Sequence, residues 1–264
     1  GRVKKIGRLT NRVGVILPFE KEFYAQRGVE VDFVGHPLMD SVRTTMSRKQ
    51  FLTRYHIDDD KKIIGLLPGS RSKEIHSLLP EFLAAAAQLA DENRSDYVFL
   101  LPQASTISRQ LLEASGLSDY AGKLDIRVIT ENRYDLMAAC DAVVAASGTV
   151  TLELAILGTP TVTTYRVSPR TYRLGRMLVR NIDYFSLVNL VSGRKIIPEL
   201  LQDEVTPENI AEELCRMLKN NEVHKEMIRG LTEVKALLGK LGASQRAAEI
   251  ALQCGELSLA TTAI

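Results

Sequence analysis

Short apolar runs alternate with helical stretches along most of this chain, and that alternation leaves few folds open. Residues 13–17, 31–34, 63–67, 97–101, 126–130, 142–146 and 161–165 each read as a strand. Between them lie stretches with helical periodicity: 21–27, 43–55, 81–90, 107–114, 134–139 and 148–158. Pro80 fits the first turn of the helix over 81–90. Strands that are apolar on both faces must be covered on both faces. Such strands, separated by helices, predict an α/β protein with a parallel sheet and helices on either side. Ligands of these sheets gather beyond the carboxyl ends of the strands, so the loops leaving those ends are where function is to be sought.

Two of those loops carry useful chemistry. The run 142–146 ends at Ser147 and is followed by Gly148, Thr149 and an apolar helical stretch, with Glu153 one turn in. The free N–H groups and positive pole of a helix starting there suit a phosphate. The Glu153 carboxylate is placed to accept hydrogen bonds from a ribose. The plainer reading is a Ser/Thr helix cap with Glu153 on the solvent face. The second loop, Pro68-Gly69-Ser70-Arg71, follows the run 63–67. Glycine lets backbone approach a ligand, serine offers a hydroxyl, and arginine grips phosphate oxygens in a bidentate fork. Its plainer reading is an ordinary glycine turn with a solvent arginine. Neither GxxxxGK[ST] nor GxGxxG occurs, so these are not the usual phosphate fingerprints. Together the two loops predict a diphosphate held between neighbouring strand ends.

Further along, Arg166, Arg170, Arg173, Arg176 and Arg180 recur every three or four residues, with Leu174, Met177 and Leu178 on another side. This pattern fits a basic amphipathic helix at an anionic membrane surface. It fits equally a solvated charged face on a core helix. Asn189 lies among apolar residues and needs hydrogen-bond partners if buried; its plainer reading is a residue that stabilises a turn. Glu199 and Gln202 precede a helix over 207–218 and otherwise read as surface polarity. His36, between Gly35 and Pro37, reads as a turn residue rather than a base.

Composition narrows the classes. The 34 basic and 32 acidic residues leave a net +2, which gives no global pull toward nucleic acid. Cys140, Cys215 and Cys254 are few and scattered, pointing to a reducing compartment rather than a disulfide scaffold. His36, His56, His76 and His224 form no metal-ligand spacing, so no metal is expected. No apolar run is long enough to span a bilayer. The chain opens Gly1-Arg2-Val3-Lys4-Lys5, basic and without a signal-peptide core, and is expected to pass directly into a strand. Lacking an initiator Met, it reads as a fragment. The last ten residues, 255–264, are expected to be unstructured.

An ordered set of motifs resembles one family. The set is Leu17-Pro18-Phe19-Glu20, Phe23-Tyr24, Val34-Gly35-His36-Pro37-Leu38, Leu67-Pro68-Gly69-Ser70-Arg71 with Glu74-Ile75, and Ser147-Gly148-Thr149 with Leu152-Glu153. It continues with Pro160, Tyr165-Arg166, Asn189-Leu190 and Glu199-Leu200-Leu201-Gln202. In this order, from about residue 13 to 202, they resemble lipid-A-disaccharide synthases; the last 60 residues resemble the family only in being helical.

The resemblance implies a GT-B glycosyltransferase, with two Rossmann-like domains facing across a cleft. The reaction it implies joins UDP-2,3-diacylglucosamine to 2,3-diacylglucosamine 1-phosphate, inverting and metal-independent, with no cofactor. The family's first half, with most of the acceptor site and the proposed base, is mostly missing here. Residues 1–40 would be the end of that half, 41–60 a linker, 61–222 the UDP-sugar domain and 223–264 C-terminal helices. Carried over for the donor site are Gly69, Ser70, Arg71, Ser147, Gly148, Thr149, Glu153, Asn189, Glu199 and Gln202, with Arg71 stabilising the leaving group. The partners implied are a UDP-sugar, a lipid acceptor and the inner face of the inner membrane, reached peripherally from the cytoplasm. An exposed cleft face and long terminal helices add self-association. Rival readings are another UDP-GlcNAc-type GT-B enzyme (a 2-epimerase or a peptidoglycan GlcNAc transferase) and a non-catalytic UDP-sugar-binding module.

Overall fold

The computed structural model describes residues 2–91, 94–167 and 183–262. The chain divides into two units: Gly1–Val42 with Glu233–Ile264, and Arg43–Thr232.

The smaller unit begins with a helix, α1 (Arg2–Leu9), where a strand was expected. Its apolar residues are too few for a periodic signal. Val3 nevertheless packs on the small cluster of Val15, Val29 and Val31, and Gly7 lies so close to Val29 that a Cβ would come 2.7 Å from its Cγ2. Strands β1 (Gly14–Val15) and β2 (Asp32–Phe33) pair in parallel around α2 (Pro18–Ala25), which has Pro at its start and Glu20 in its first turn. A short helix, α3 (Leu38–Ser41), follows.

The larger unit starts at α4 (Arg48–Arg54), where Ser47 and Gln50 form a reciprocal capping box. Six parallel strands follow: β3 (Lys62–Leu67), β4 (Tyr97–Pro102), β5 (Ile126–Ile129), β6 (Ala142–Ala146), β7 (Thr161–Tyr165) and β8 (Glu199–Leu201). Their order is β5-β4-β3-β6-β7-β8, the doubly wound arrangement of a Rossmann-like sheet. Every residue of β6 is buried, as are all but the first of β3. That burial explains why both read as continuous apolar runs. The covering helices are α5 (Ser72–Leu89), α6 (Arg109–Ala114), α7 (Arg133–Ala139), α8 (Thr149–Leu157), α9 (Leu187–Ser192) and α10 (Pro207–Lys219). Phe51, Ile63, Leu100, Leu136, Val143 and Leu154 share one core cluster.

Pro80 lies inside α5, not in its first turn. The helix starts at Ser72 because Glu74 reaches back to the preceding loop. Proline removes the N–H that would reach the His76 carbonyl; the neighbouring Ser77 carbonyl accepts from Arg166 at 3.1 Å. Two terminal helices, α11 (Asn221–Leu237) and α12 (Ala243–Thr262), complete the chain. The stretch from 255 expected to be unstructured continues α12 up to Thr262; the run of helix formers around Gly255 outweighs that single glycine.

Within the smaller unit the segment after α11 is held by polar contacts. Arg246 donates to the carbonyls of Val34, Lys240 and Leu241, and Asp40 accepts from the Gly242 N–H at 2.6 Å. His36 is buried, its Nδ1 accepting from Leu38 N–H at 3.1 Å, so it serves as a turn residue. Burial pushes its pKa down.

Candidate functional site

The strand order reverses between β3 and β6: the chain leaves β3 toward β4 on one side and leaves β6 toward β7 on the other. Their loops diverge and open a crevice at the carboxyl ends. A cleft of about 930 Å³ lies there, lined by Gly69, Ser70, Arg71, Ser147, Gly148, Thr149 and Glu153 among others. The loops after β4 and β5 also reach it, through Gln103, Ala104, Thr130, Asn132 and Arg133.

The loop after β3 is built around a carboxylate. Glu74 Oε2 accepts from the N–H groups of Ser70 (3.0 Å) and Arg71 (3.2 Å), while Oε1 accepts from Arg71 Nη1 at 2.7 Å. Gly69 has φ +109°, and a Cβ there would stand 2.2 Å from Glu74 Oε2, so the turn requires glycine. Thr106 ties the loop to the segment after β4 by donating to Ser70 O at 2.8 Å. The side chain of Arg71 is 80% exposed, so its remaining donors face the cleft and solvent.

The loop after β6 is built the opposite way. No side chain caps α8. Ser147 N–H donates to Thr164 O on the neighbouring strand at 2.7 Å, and Thr151 Oγ1 donates to Gly148 O at 2.8 Å. The Thr151 N–H closes on Gly148 O at 3.2 Å, while the Thr149 and Val150 N–H groups, for which an α-helix offers no intrahelical acceptor, sit at the cleft wall. The N–H groups leading into α5 are thus taken by the protein's own carboxylate, while no side chain takes those that open α8.

Glu153 is not on a solvent face; its side chain is 7% exposed. It pairs with Arg133 Nη2 at 2.9 Å and accepts from Tyr134 OH at 3.4 Å. Burial raises its pKa, and Arg133 and Tyr134 oppose that rise without cancelling it.

Asn189, Glu199 and Gln202 are not brought to the cleft. Asn189 is fully buried, donating to Ile197 O and Glu199 Oε1 and accepting from the N–H groups of Ile196 and Ile197. Glu199 also accepts from Phe185 and Ser186 N–H, at 3.1 and 2.9 Å. These two residues therefore shape the segment that presents Phe185 and Leu187 to the cleft. Gln202 makes a reciprocal pair with the backbone of Val167, at 2.6 and 2.9 Å. Arg166 bonds to Ser77 O, to Glu81 at 2.9 Å and to Val205 O, so its charge is used inside the fold. Arg170, Arg173, Arg176 and Arg180 lie outside the described residues.

The sequence reading missed Arg133. Its signal was present: an apolar run, a polar turn and a helix, as at Ser147, but with a left-handed Asn132 (φ +53°) before the helix where the other loop has an extended Gly148.

The backbone belongs to the α/β class shared by GT-B glycosyltransferases and nucleotide-sugar epimerases. It matches a UDP-GlcNAc 2-epimerase from Neisseria meningitidis solved with UDP-GlcNAc bound (TM-score 0.61, 15% identity, 95% of this chain and 63% of that one). It also matches WaaG, a glycosyltransferase involved in lipopolysaccharide biosynthesis (TM-score 0.55, 14% identity, 90% of this chain and 62% of that one). At such identities the likeness establishes the fold alone.

Sequence narrows the class: the profile of the lipid-A-disaccharide synthetase family matches residues 1–253, and the chain belongs to that family. The match takes in the C-terminal helices, beyond the stretch where motifs were legible. The lipid-A-disaccharide synthase of Geobacter sulfurreducens is 44% identical over 257 residues, 96% of this chain and 65% of that protein. The chain therefore spans just under two thirds of that relative's length.

Proposed function

We propose that this chain is the donor-binding portion of a lipid-A-disaccharide synthase and that its cleft takes the UDP moiety of UDP-2,3-diacylglucosamine. The observation that carries this reading is the uncapped N-terminus of α8, facing the same cleft as Arg71, with the Glu153 carboxylate one turn inside. A diphosphate would draw hydrogen bonds from the Gly148 and Thr149 backbone and from Arg71, and Glu153 would accept from ribose hydroxyls. In the reaction, a hydroxyl of 2,3-diacylglucosamine 1-phosphate attacks the anomeric carbon as the bond to the UDP oxygen breaks, and the hydroxyl proton passes to a base. The leaving diphosphate gains negative charge, which the Arg71 guanidinium and the α8 pole stabilise. The 2-epimerase alternative rests on a 15% identical backbone, against 44% identity to a synthase.

Within this reading, residues 61–222 carry the nucleotide-sugar site, 41–60 lead into it and pack α4 on its core, and 1–40 are the end of the acceptor half. The acylated substrates bring the protein to the cytoplasmic face of the inner membrane as a peripheral protein. Among the described residues no helix is long and apolar enough to cross a membrane. Salt-reversible binding to anionic vesicles would test the contact assigned to Arg170, Arg173, Arg176 and Arg180.

Calorimetric titration with UDP, against inorganic phosphate as reference, tests the central claim. UDP should bind more tightly than phosphate, and Arg71→Ala should weaken it by about ten- to a hundredfold, the worth of charged hydrogen bonds. UDP binding no tighter than phosphate would refute the assignment.

A further inference from the structure

We propose that Arg133 is a positioning residue for Glu153: it ties down one carboxylate oxygen and turns the other toward the hydroxyl pair of a bound nucleoside. This rests on the nucleotide reading above and deepens it.

Both contacts to the carboxylate fall on one atom. Arg133 Nη2 lies 2.9 Å from Oε1, and Tyr134 OH lies 3.4 Å from the same oxygen. No described residue donates to Oε2. Arg133 is itself fixed: it donates to Tyr134 OH at 2.6 Å, and its guanidinium carbon stands 4.6 Å from the centre of the Tyr134 ring. The pair is asymmetric in exposure, with Arg133 57% exposed and Glu153 7%. Both residues line the cleft, the guanidinium exposed and the carboxylate nearly buried.

Position and charge are coupled here. Glu153 stands between Leu152 and Leu154, both fully buried, and burial favours its neutral form. A neutral carboxyl would present a donor on one oxygen, where a vicinal diol needs an acceptor. Among the described residues, Arg133 and Tyr134 on α7 are the charged or titratable groups acting on it; α8, α9, β6 and β7 bring no other. Arg133 is therefore the cation that favours the ionised form of Glu153 against the burial that opposes it. Nucleoside recognition then depends on a residue that need not touch the ligand.

Two measurements on the full chain test this. The first needs no ligand: the carboxyl carbon of Glu153 is titrated by NMR in the wild type and in Arg133→Met. The midpoint should move up by about one pH unit or more in the variant; coincident midpoints would overturn the proposal. The second uses UDP-glucose, whose diphosphate diester does not itself titrate between about pH 5.5 and 8. Its affinity should begin to fall at a higher pH in Arg133→Met than in the wild type, whereas Glu153→Gln should bind weakly and show no such fall. A loss in Arg133→Met that is equal at every pH would overturn it, placing Arg133 on the phosphates instead. Failure of the wild type to bind UDP-glucose would sink the nucleotide reading, while the ligand-free midpoints would still judge the Arg133 assignment.

Discussion

Glycine 69 is the residue on which the loop after β3 depends. Its φ of +109° and the 2.2 Å approach of Glu74 Oε2 to any added Cβ both exclude a side chain. Gly69→Ala should therefore cost about 1–3 kcal/mol in urea unfolding and weaken UDP binding as the loop shifts off Glu74. Unchanged stability would mean that Glu74 moves aside freely. Glu153 offers a prediction of opposite sign. Its folded pKa lies above the ordinary value of about 4.3. As pH rises through the window between those two values, the unfolded chain loses its proton first, so the fold loses stability. Glu153→Gln removes that loss, and its urea midpoint should gain on the wild type as pH climbs through the window. A gap independent of pH would show that Arg133 fully offsets burial.

At the scale of elements, much of the larger unit was legible because its strands are buried on both faces, and β3 and β6 announce themselves as unbroken apolar runs. β8 was not: it is three residues long, starts with a charged Glu199 and only its middle residue is buried, so it carries no strand signal. The site follows the same division. Gly69, Ser147 and Glu153 were readable because strand, turn and helix are contiguous there. A turn-stabilising role for Asn189 was readable from its apolar surroundings, but not its partners Ile196, Ile197 and Glu199, which approach across a turn that spacing does not reveal. That turn is a clamp of buried hydrogen bonds between α9 and β8. Asn189→Ala would leave the Ile196 and Ile197 N–H groups without their acceptor and take one donor each from the Ile197 carbonyl and Glu199 Oε1, which keeps the Ser186 N–H. It should cost about 2–4 kcal/mol, measured by urea denaturation, and raise protease cleavage near 185–190. Asn189→Asp, which keeps the Oδ1 acceptor but sets a second carboxylate 2.8 Å from Glu199 Oε1, should be no milder. A mild Asn189→Ala would mean that water replaces the side chain.

For the whole molecule, the smaller unit is closed by segments from both ends of the chain, and polar contacts carry much of that closure. Residues 34–36 meet 238–246 through His36 N–H on Leu238 O at 2.8 Å and Arg246 on Val34 O at 2.9 Å. Two groups in this region titrate so as to weaken it in acid. His36 has its pKa lowered by burial, and Asp40 has its own lowered by the Gly242 N–H. Each contributes stability above its unfolded value, about 6.5 for histidine and 3.9 for aspartate, and loses it as pH falls through the folded value. His36 acts first, because its window opens nearer neutrality. Amide exchange corrected for intrinsic rates should therefore show protection at 34–42 and 238–246 falling between about pH 7 and 5. Over the same interval the amides of β3 and β6 should hold. His36→Gln keeps a neutral acceptor beside Leu38 and cannot take up a proton, so its protection should stay flat across that interval. If the variant and the wild type lose protection together, histidine burial is not what makes this closure sensitive to acid.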